Sequence, residues 1–469
     1  MSIEPIGLLT FIIGMICLQL GYRATAATVV VSTLLGSAAA ILVGTANIPP
    51  AHLLLAFVAI GTLKRHVERT RAIGASAFPE PGFWLMCLVI YGLITGFLMP
   101  RLLEGSMPIF PLGTPELYAD TGATVPLGRV SGNLTQGIYL VADFACFVMI
   151  VAIASTQAGF ATITSALVAY AAGNVLFAFL DLATYATGTQ SLLEFIRNAQ
   201  YTLHIEEQIS GLKRIVGSFT EASAFARSTL GALGFTGTLW LCGCRPALTG
   251  TLALLSLALV ILSTSSTGLA GAPAVLLILY ATALMRLGFH PSRPFSSAAV
   301  LCAPLLVVAV ILAAQLDEEA SKPIRDYMDV LIFSKSTTDS GIERGAWNSV
   351  ALRNFFDSYG LGVGLGTVRT SSFPIALLSN VGVPGTIFYV LFAASAFLRR
   401  RGAPRTFPSD VRLAARNACL GLIIGDSFAG TTLEQGLLFY VLAAVACAEP
   451  ERNVAALSPI ASRPVGALT

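Results

Sequence analysis

Residues 136–155 read QGIYLVADFACFVMIVAIAS, and residues 159–183 read GFATITSALVAYAAGNVLFAFLDLA. Each run reaches the roughly 20 residues that an α-helix needs to cross a hydrocarbon core. A single carboxylate interrupts each run, Asp143 in the first and Asp181 in the second. Because a lipid-exposed backbone must satisfy its own hydrogen bonds, the two runs predict neighbouring membrane-spanning helices.

The composition extends this prediction to the whole chain. Of the 469 residues, 55% are hydrophobic and only 11% are charged, and the mean hydropathy is +0.77. Soluble domains carry about 25% charged residues. We therefore predict an all-α polytopic membrane protein, with the lipid bilayer as its solvent and without a nucleic-acid partner.

Apolar runs of spanning or near-spanning length recur along the chain and predict about 12–13 transmembrane helices. They cover residues 6–22, 25–45, 49–63, 83–99, 136–155, 159–183, 228–242, 247–265, 272–287, 297–315, 374–398, 411–428 and 433–448. The first run is predicted to be a helix and not a signal peptide, because no basic segment precedes it.

Clusters of Lys and Arg between these runs predict the orientation, because basic residues concentrate in cytosolic loops. The clusters are residues 64–71, Arg245, Arg286 with Arg293, and residues 399–405. Placing all of them in the cytosol lets the later spans alternate without conflict. Strict alternation puts the N-terminus outside, and a twelve-span arrangement with the N-terminus inside is the alternative.

One transmembrane domain is predicted over residues 1–448, with three long segments on the periplasmic side. These segments cover about residues 100–135, 188–227 and 316–373. The first is rich in Gly and Pro and is predicted to be a covering loop. Residues 449–469 are polar, contain Pro and are predicted to form a disordered cytosolic tail.

Charge gathers beside apolar sequence in residues 211–227, GLKRIVGSFTEASAFAR. Within residues 191–218, apolar residues recur at near-helical spacing, which predicts an amphipathic helix lying on the outer face and ending near Gly211. Ser218 or Thr220 is the predicted N-cap of the helix that follows. The unpaired amides at the start of that helix would favour an anion.

The charged side chains of this segment are candidates for binding and catalysis. Arg214 and Arg227 suit phosphate oxygens, because guanidinium groups donate paired hydrogen bonds; contact with lipid headgroups is the alternative. Glu221 is a candidate general base, because placing a carboxylate near a membrane costs free energy unless it is paired or has a functional role. A structural ion pair is the alternative for Glu221. His204, in the same outer segment, is a candidate substrate ligand.

The third outer segment carries a second group of candidates. Arg344 and Arg369 are candidate anion ligands, with surface salt bridges as the alternative. Trp347 is a candidate for stacking on a sugar ring, with interfacial anchoring as the alternative. Residues 360–366, GLGVGLG, predict a flexible or tightly turned backbone that faces a ligand.

Three carboxylates within apolar runs are further functional candidates. Asp143, Asp181 and Asp426 are costly in a membrane unless they have a function. Asp181 and Asp426 lie near the ends of their runs, so helix capping or pairing is the alternative for these two. The outer segments contain neither an HExxH nor a DxD pattern, so no metal is expected. The glycine run lacks the spacing of a nucleotide-binding loop, so no nucleotide cofactor is expected.

Three blocks of the chain carry a family resemblance. They are residues 214–223, RIVGSFTEAS, residues 262–268, LSTSSTG, and residues 343–385 with the glycine run. Together they resemble the O-antigen polymerase and ligase superfamily, membrane glycosyltransferases that act on undecaprenyl-diphosphate-linked sugars. The first block is similar to an Arg-x-x-Gly-x-Phe motif before a helix. The third is similar to a large periplasmic loop and the helix after it.

The resemblance implies a GT-C-like bundle, multi-pass in the bacterial inner membrane. Arg214, Arg344 and Arg369 would contact the diphosphate of the lipid donor, and Glu221, Arg214 and Arg344 would be the catalytic residues. An acceptor hydroxyl would attack the anomeric carbon and release undecaprenyl diphosphate without a cofactor. A chain-length regulator or another polysaccharide-assembly protein is the implied protein partner.

The resemblance leaves three functions open. The ligase branch is expected to carry a histidine in the large loop, and residues 316–373 contain none. This departure favours a glycan polymerase that joins repeat units, with Glu221 as its base or with no dedicated base. A ligase of the same fold is one alternative. A transporter or flippase of lipid-linked oligosaccharide is the other, although the sequence lacks the internal halves typical of transporters.

Overall fold

The computed structural model describes residues 2–44, 46–119, 122–200, 203–205, 207–209, 211–287, 294–316 and 337–452, with isolated positions between 317 and 336. Within these residues the protein is mostly helical. Five helices are long and apolar enough to span a membrane: Pro81–Leu102, Ser131–Ala154, Gln157–Thr187, Ser266–Leu287 and Phe373–Phe397. The prediction of an all-α membrane protein is confirmed.

The α-helices of the described residues are numbered in chain order. They are α1 (Pro5–Leu20), α2 (Tyr22–Ser32), α3 (Pro50–Lys64), α4 (His66–Ala75), α5 (Pro81–Leu102), α6 (Ser131–Ala154), α7 (Gln157–Thr187), α8 (Ala222–Leu241), α9 (Pro246–Leu262), α10 (Ser266–Leu287), α11 (Pro294–Leu316), α12 (Asp339–Asp357), α13 (Phe373–Phe397), α14 (Phe407–Ala429) and α15 (Leu437–Cys447). A 3₁₀ helix, Gln190–Ile196, follows α7.

Small antiparallel sheets lie in the segments between helices. The first contains β1 (Ser2–Ile3), β2 (Ile41–Val43) and β3 (Ala46–Ile48) in that order. In the other two, β4 (Pro108–Ile109) pairs with β5 (Val125–Pro126), and β6 (Gln208–Ile209) pairs with β7 (Leu212–Lys213). A bridge between Pro111 and Val368 joins the first predicted loop to the glycine-rich segment. Two loops that are distant in sequence therefore meet.

Helix α8 lies at the centre of the bundle, where it packs against α9, α10 and, most extensively, α14. Small residues allow the close approach of α8 and α14. A Cβ at Gly234 would lie 2.8 Å from the carbonyl oxygen of Asn417, and one at Gly421 would lie 2.7 Å from that of Leu230. Glycine on both helices lets their backbones approach, as in other membrane helix pairs.

The predicted apolar runs correspond to the helices with one exception. Residues 25–45 do not form one helix, because α2 ends at Ser32 and the chain then enters β2 and β3. Helices α4 and α12 were not predicted. Both are too polar to appear in a search for apolar runs, since they carry several charged side chains on exposed faces.

The predicted amphipathic helix over residues 191–218 is wrong. The described part of this segment contains the 3₁₀ helix Gln190–Ile196 and then the hairpin of β6 and β7. The backbone N–H groups of Val216 and Gly217 donate to the buried carboxylate of Asp181, over 2.9 and 3.2 Å. These tertiary hydrogen bonds fix the turn that precedes α8. Within the predicted helix, the pairing of Gln208 with Lys213 and of Ile209 with Leu212 uses backbone groups that a helix would use.

The predicted disordered tail is ordered over its first residues. Nε of Arg401 lies 3.8 Å from Glu449, and Nη2 of Arg412 lies 2.8 Å from Glu451. The two ion pairs tie residues 449–452 to the bundle, so the prediction is wrong for them. Residues 453–469 lie outside the described part of the chain.

Candidate functional site

A cavity of about 660 Å³ opens beside the first turns of α6, α8 and α15 and the last turn of α14. Three residues of the predicted site line it: Glu221, Arg227 and Arg369. Asp426 and Glu434 also line it. Side chains from two predicted outer segments thus meet carboxylates from the C-terminal helices in one concave space.

Asp181 anchors the segment that leads to the cavity. Its fully buried carboxylate accepts hydrogen bonds from Nη2 of Arg197 at 2.8 Å and from Nζ of Lys213 at 3.1 and 3.2 Å. The two backbone N–H groups of residues 216 and 217 complete its set of donors. Both oxygens are therefore satisfied, and the pairing predicted as the alternative for Asp181 is what the structure contains.

Glu221 is held at the start of α8, where it is the N-cap residue. Its carboxylate accepts a hydrogen bond from the Ser223 hydroxyl, and Nη2 of Arg344 lies 3.6 Å from its Oε2. The predicted caps are wrong: Ser218 donates its hydroxyl to the carbonyl oxygen of Leu34 at 2.7 Å. The Arg344 contact joins the two predicted charged segments at the cavity wall.

Arg227 is committed to Asp426. Its Nε and Nη2 both bind the Asp426 carboxylate, the latter at 2.8 Å, and Nη2 also donates to the carbonyl oxygen of Gln435 at 2.6 Å. The Gln435 amide donates to Asp426 at 3.3 Å and accepts from the Tyr389 hydroxyl at 2.6 Å. This network links α8, α13 and α14 and leaves Arg227 few donors for a ligand.

Arg369 stands in contrast to Arg227. Its guanidinium carbon lies 4.0 Å from the ring centroid of Trp347, which is only 9% exposed. Within the described residues, its side chain has neither an ion pair nor a hydrogen bond. Burial lowers the pKa of the Arg369 guanidinium below its usual value, which Glu343 and Glu221 oppose and Arg344 reinforces. The group nonetheless stays charged, as arginine does in proteins.

The glycine run positions Arg369 through its backbone. Gly360, Gly362, Gly364 and Gly366 all have φ between 74° and 106°, so the predicted tight turning is confirmed. A Cβ at Gly366 would lie 2.3 Å from the carbonyl oxygen of Gly132. Gly362, Gly364 and Gly366 pack against protein backbone, and none of the four glycines lines the cavity. That the run faces a ligand stays a prediction.

Two predicted ligands lie away from this cavity. Arg214 pairs with Glu207, and Nδ1 of His204 lies 2.6 Å from the same carboxylate. His204 lines a second, open cavity of about 540 Å³ beside the 3₁₀ helix. Arg344 and Trp347 do not line the main cavity but contact Glu221 and Arg369, which do.

The sequence analysis missed Glu434, Gln136 and Tyr139, which all line the cavity. Glu434 lies in the short segment between α14 and α15. Burial raises the pKa of its carboxyl group, an effect that Arg227 and the Gly436 N–H oppose and Asp426 reinforces. Gln136 and Tyr139 lie three residues apart on α6 and so share a helix face. That polar spacing within an apolar run was the available signal.

The described residues contain no cluster of three or more His, Cys, Asp or Glu side chains that could hold a metal ion. The sequence matches no protein-family model, and searches of curated proteins and of solved structures return no significant match.

Proposed function

We propose that this chain is a glycan polymerase that joins undecaprenyl-diphosphate-linked oligosaccharide repeat units. The proposal places it as a multi-pass, GT-C-like bundle of about 12–13 spans in the bacterial inner membrane, with the cavity on the periplasmic side. The observation that carries the proposal is Arg369, an exposed cation in the cavity wall without a carboxylate partner among the described residues.

The Arg369 side chain is exposed in the cavity wall, and none of its N–H groups has an acceptor among the described residues. Stacking on Trp347 covers one face of the Arg369 guanidinium and leaves the N–H groups at its edge. A diphosphate offers oxygens that suit such donors. A bound anion would therefore stabilise the site, and Arg344, which lies 3.6 Å from Glu221, is near enough to assist.

The shape and lining of the cavity support a glycan headgroup. A volume of about 660 Å³ falls within the range of about 300–1,000 Å³ that is typical of small-molecule sites. Tyr139, Tyr170 and several hydroxyl and amide side chains line it beside Arg369, and these groups suit sugar rings and their hydroxyls.

The chemistry requires little beyond positioning and charge stabilisation. The acceptor hydroxyl oxygen forms a bond to the anomeric carbon, and the bond from that carbon to the diphosphate oxygen breaks. The electron pair leaves with the diphosphate, and fixed guanidinium groups stabilise the charge that develops there. In this proposal Arg369 and Arg344 bind the leaving diphosphate, and Glu221 orients Arg344.

The test uses the full-length protein in vesicles that contain undecaprenyl-diphosphate-linked oligosaccharide, with glycan length and donor binding as readouts. We expect Arg369→Gln to weaken donor binding and to lower the polymerisation rate at least tenfold. Arg353→Gln is the matched control, because Arg353 lies exposed on α12 away from the cavity. Long glycan made at the wild-type rate by Arg369→Gln would refute the proposed site.

The same assay separates the alternatives. Transfer of a single glycan to a different acceptor, without chain growth, would indicate a ligase. Movement of intact donor between leaflets, without a new glycosidic bond, would indicate a flippase. Either outcome would replace the polymerase proposal.

A further inference from the structure

Three carboxylates line the cavity, and they differ in what they bind. Asp426 accepts hydrogen bonds from Arg227 and Gln435. Glu221 accepts one from the Ser223 hydroxyl and faces Arg344. Glu434 alone among the three has no side-chain donor within the described part of the chain. Its lone pairs are therefore available to a molecule in the cavity.

Local structure holds the backbone of Glu434 in place and occupies little of the hydrogen-bonding capacity of its carboxylate. The Thr432 hydroxyl donates to the backbone carbonyl oxygen of Glu434 at 3.1 Å, and the Gly436 N–H interacts with its carboxylate. Gly436 has φ of 81°, which an L-residue with a side chain rarely adopts, and it begins α15. The segment between α14 and α15 therefore presents Glu434 to the cavity on a fixed turn.

Glu434 is surrounded by more carboxyl groups than basic side chains. Arg227 on α8 and Asp426 on α14 interact with it but mainly neutralise each other. Asp143 on α6 also interacts with it electrostatically; this carboxyl is fully buried, and neither of its oxygens has a hydrogen-bond partner among the described residues. Tyr440 on α15 also interacts electrostatically with Glu434.

We infer that Glu434 is the group that takes the proton from the acceptor hydroxyl. The inference rests on the proposed function and replaces Glu221 as the predicted base. As the hydroxyl oxygen bonds to the anomeric carbon, its proton moves to the Glu434 carboxylate, while the electron pair of the broken bond leaves on the diphosphate. The proton transfer neutralises a carboxylate whose ionised form is disfavoured by burial and by the neighbouring Asp426. The proton then passes to water in the cavity.

The test compares isosteric variants of the two carboxylates in the same vesicle assay. General-base catalysis contributes about 10²–10⁴-fold. We expect Glu434→Gln to lose at least about 10²-fold in polymerisation rate while it binds the donor as tightly as wild type. Glu434→Asp, which keeps a carboxylate, should recover part of the rate. Glu221→Gln should weaken donor binding through Arg344 and lose less of the maximal rate.

The pH profile gives a second readout that a structural role would not move. Burial raises the pKa of Glu434, so wild-type activity should fall on the acid side as this carboxylate is protonated. Glu434→Gln should lose that acid limb. A Glu434→Gln variant with the wild-type rate and the wild-type acid limb would overturn the inference, as would loss of the acid limb in Glu221→Gln alone.

The two proposals fail in distinguishable ways. If the wild-type protein neither binds nor consumes the lipid-linked donor, the proposed function is wrong. If the wild-type protein polymerises and Arg369→Gln does not, but Glu434→Gln is as active as wild type, the function stands and the assignment of Glu434 is wrong.

Discussion

Asp181 and Arg369 are charged groups in different surroundings, because Asp181 is fully buried whereas the Arg369 side chain is exposed in the wall of the cavity. Asp181 receives donors from Arg197, Lys213 and two backbone amides, so both of its oxygens are satisfied. Arg369 has an aromatic ring beneath it and no acceptor for its N–H groups within the described residues. A saturated buried charge stabilises a fold. An accessible charge without a fixed partner keeps its capacity to bind a ligand. Glu434 resembles Arg369 in this respect, and the two share one cavity.

The largest expected effect is on stability, and it follows the loss of Asp181, whose carboxylate oxygens are both hydrogen-bonded. Asp181→Ala leaves Arg197 and Lys213 buried without their partner, and breaking a buried ion pair in this way costs about 3–5 kcal/mol of stability. We expect that loss in denaturant titrations of the detergent-solubilised protein.

Glu116→Ala is the control for Asp181→Ala, because it removes an exposed ion pair with Arg129 at 3.2 Å and should cost under about 1 kcal/mol. Replacing Arg197 and Lys213 by Met in the Asp181→Ala background should recover part of the stability. Equal losses for Asp181→Ala and Glu116→Ala would remove the distinction between saturated and surface pairs.

An intermediate effect is expected at Trp347, on whose ring the Arg369 guanidinium stacks. Trp347→Leu removes the cation–π contact, which is worth about 0.5–2 kcal/mol, so donor affinity should fall several-fold. The measurement is donor binding by the purified protein. In an Arg369→Gln background the same substitution should change affinity little further, because the two residues act as one unit. Additive losses would show that Trp347 contacts the donor independently.

The smallest effect is expected at the ordered start of the tail. Burial raises the pKa of Glu451, but the Arg412 hydrogen bond and a backbone hydrogen bond outweigh it and leave that pKa below its usual value. The stabilisation is therefore present above the unfolded pKa, near 4.3, and is lost as pH falls through the lower folded value.

Glu451→Gln should accordingly cost under about 1 kcal/mol at neutral pH, since the side chain is 34% exposed, and nothing at strongly acidic pH. Thermal melts at both pH values measure this difference. A cost that persists at acidic pH would show that Glu451 stabilises the tail by packing and not by charge.

Prediction from sequence succeeded where the deciding force is local. Runs such as residues 159–183 form helices because each apolar stretch must satisfy its own backbone in a membrane, whatever its neighbours are. It failed at residues 191–218, where apolar spacing favoured an amphipathic helix but the chain forms a 3₁₀ helix and the hairpin of β6 and β7. Arg214 and Arg369 looked equivalent as candidate ligands, but only Arg369 lines the main cavity.

The sequence by itself determined that this is an all-α membrane protein. It also identified four charged residues as candidates for binding or catalysis: Arg369, Arg344, Glu221 and Arg227. Only the tertiary structure decided which charged side chains are already paired with another residue. Arg227 is paired with Asp426, Arg214 with Glu207 and Asp181 with Lys213, whereas Arg369 and Glu434 are left facing one cavity. The physical reason is that hydrophobicity acts along the chain. Whether a charge is satisfied depends on partners that lie far away in sequence.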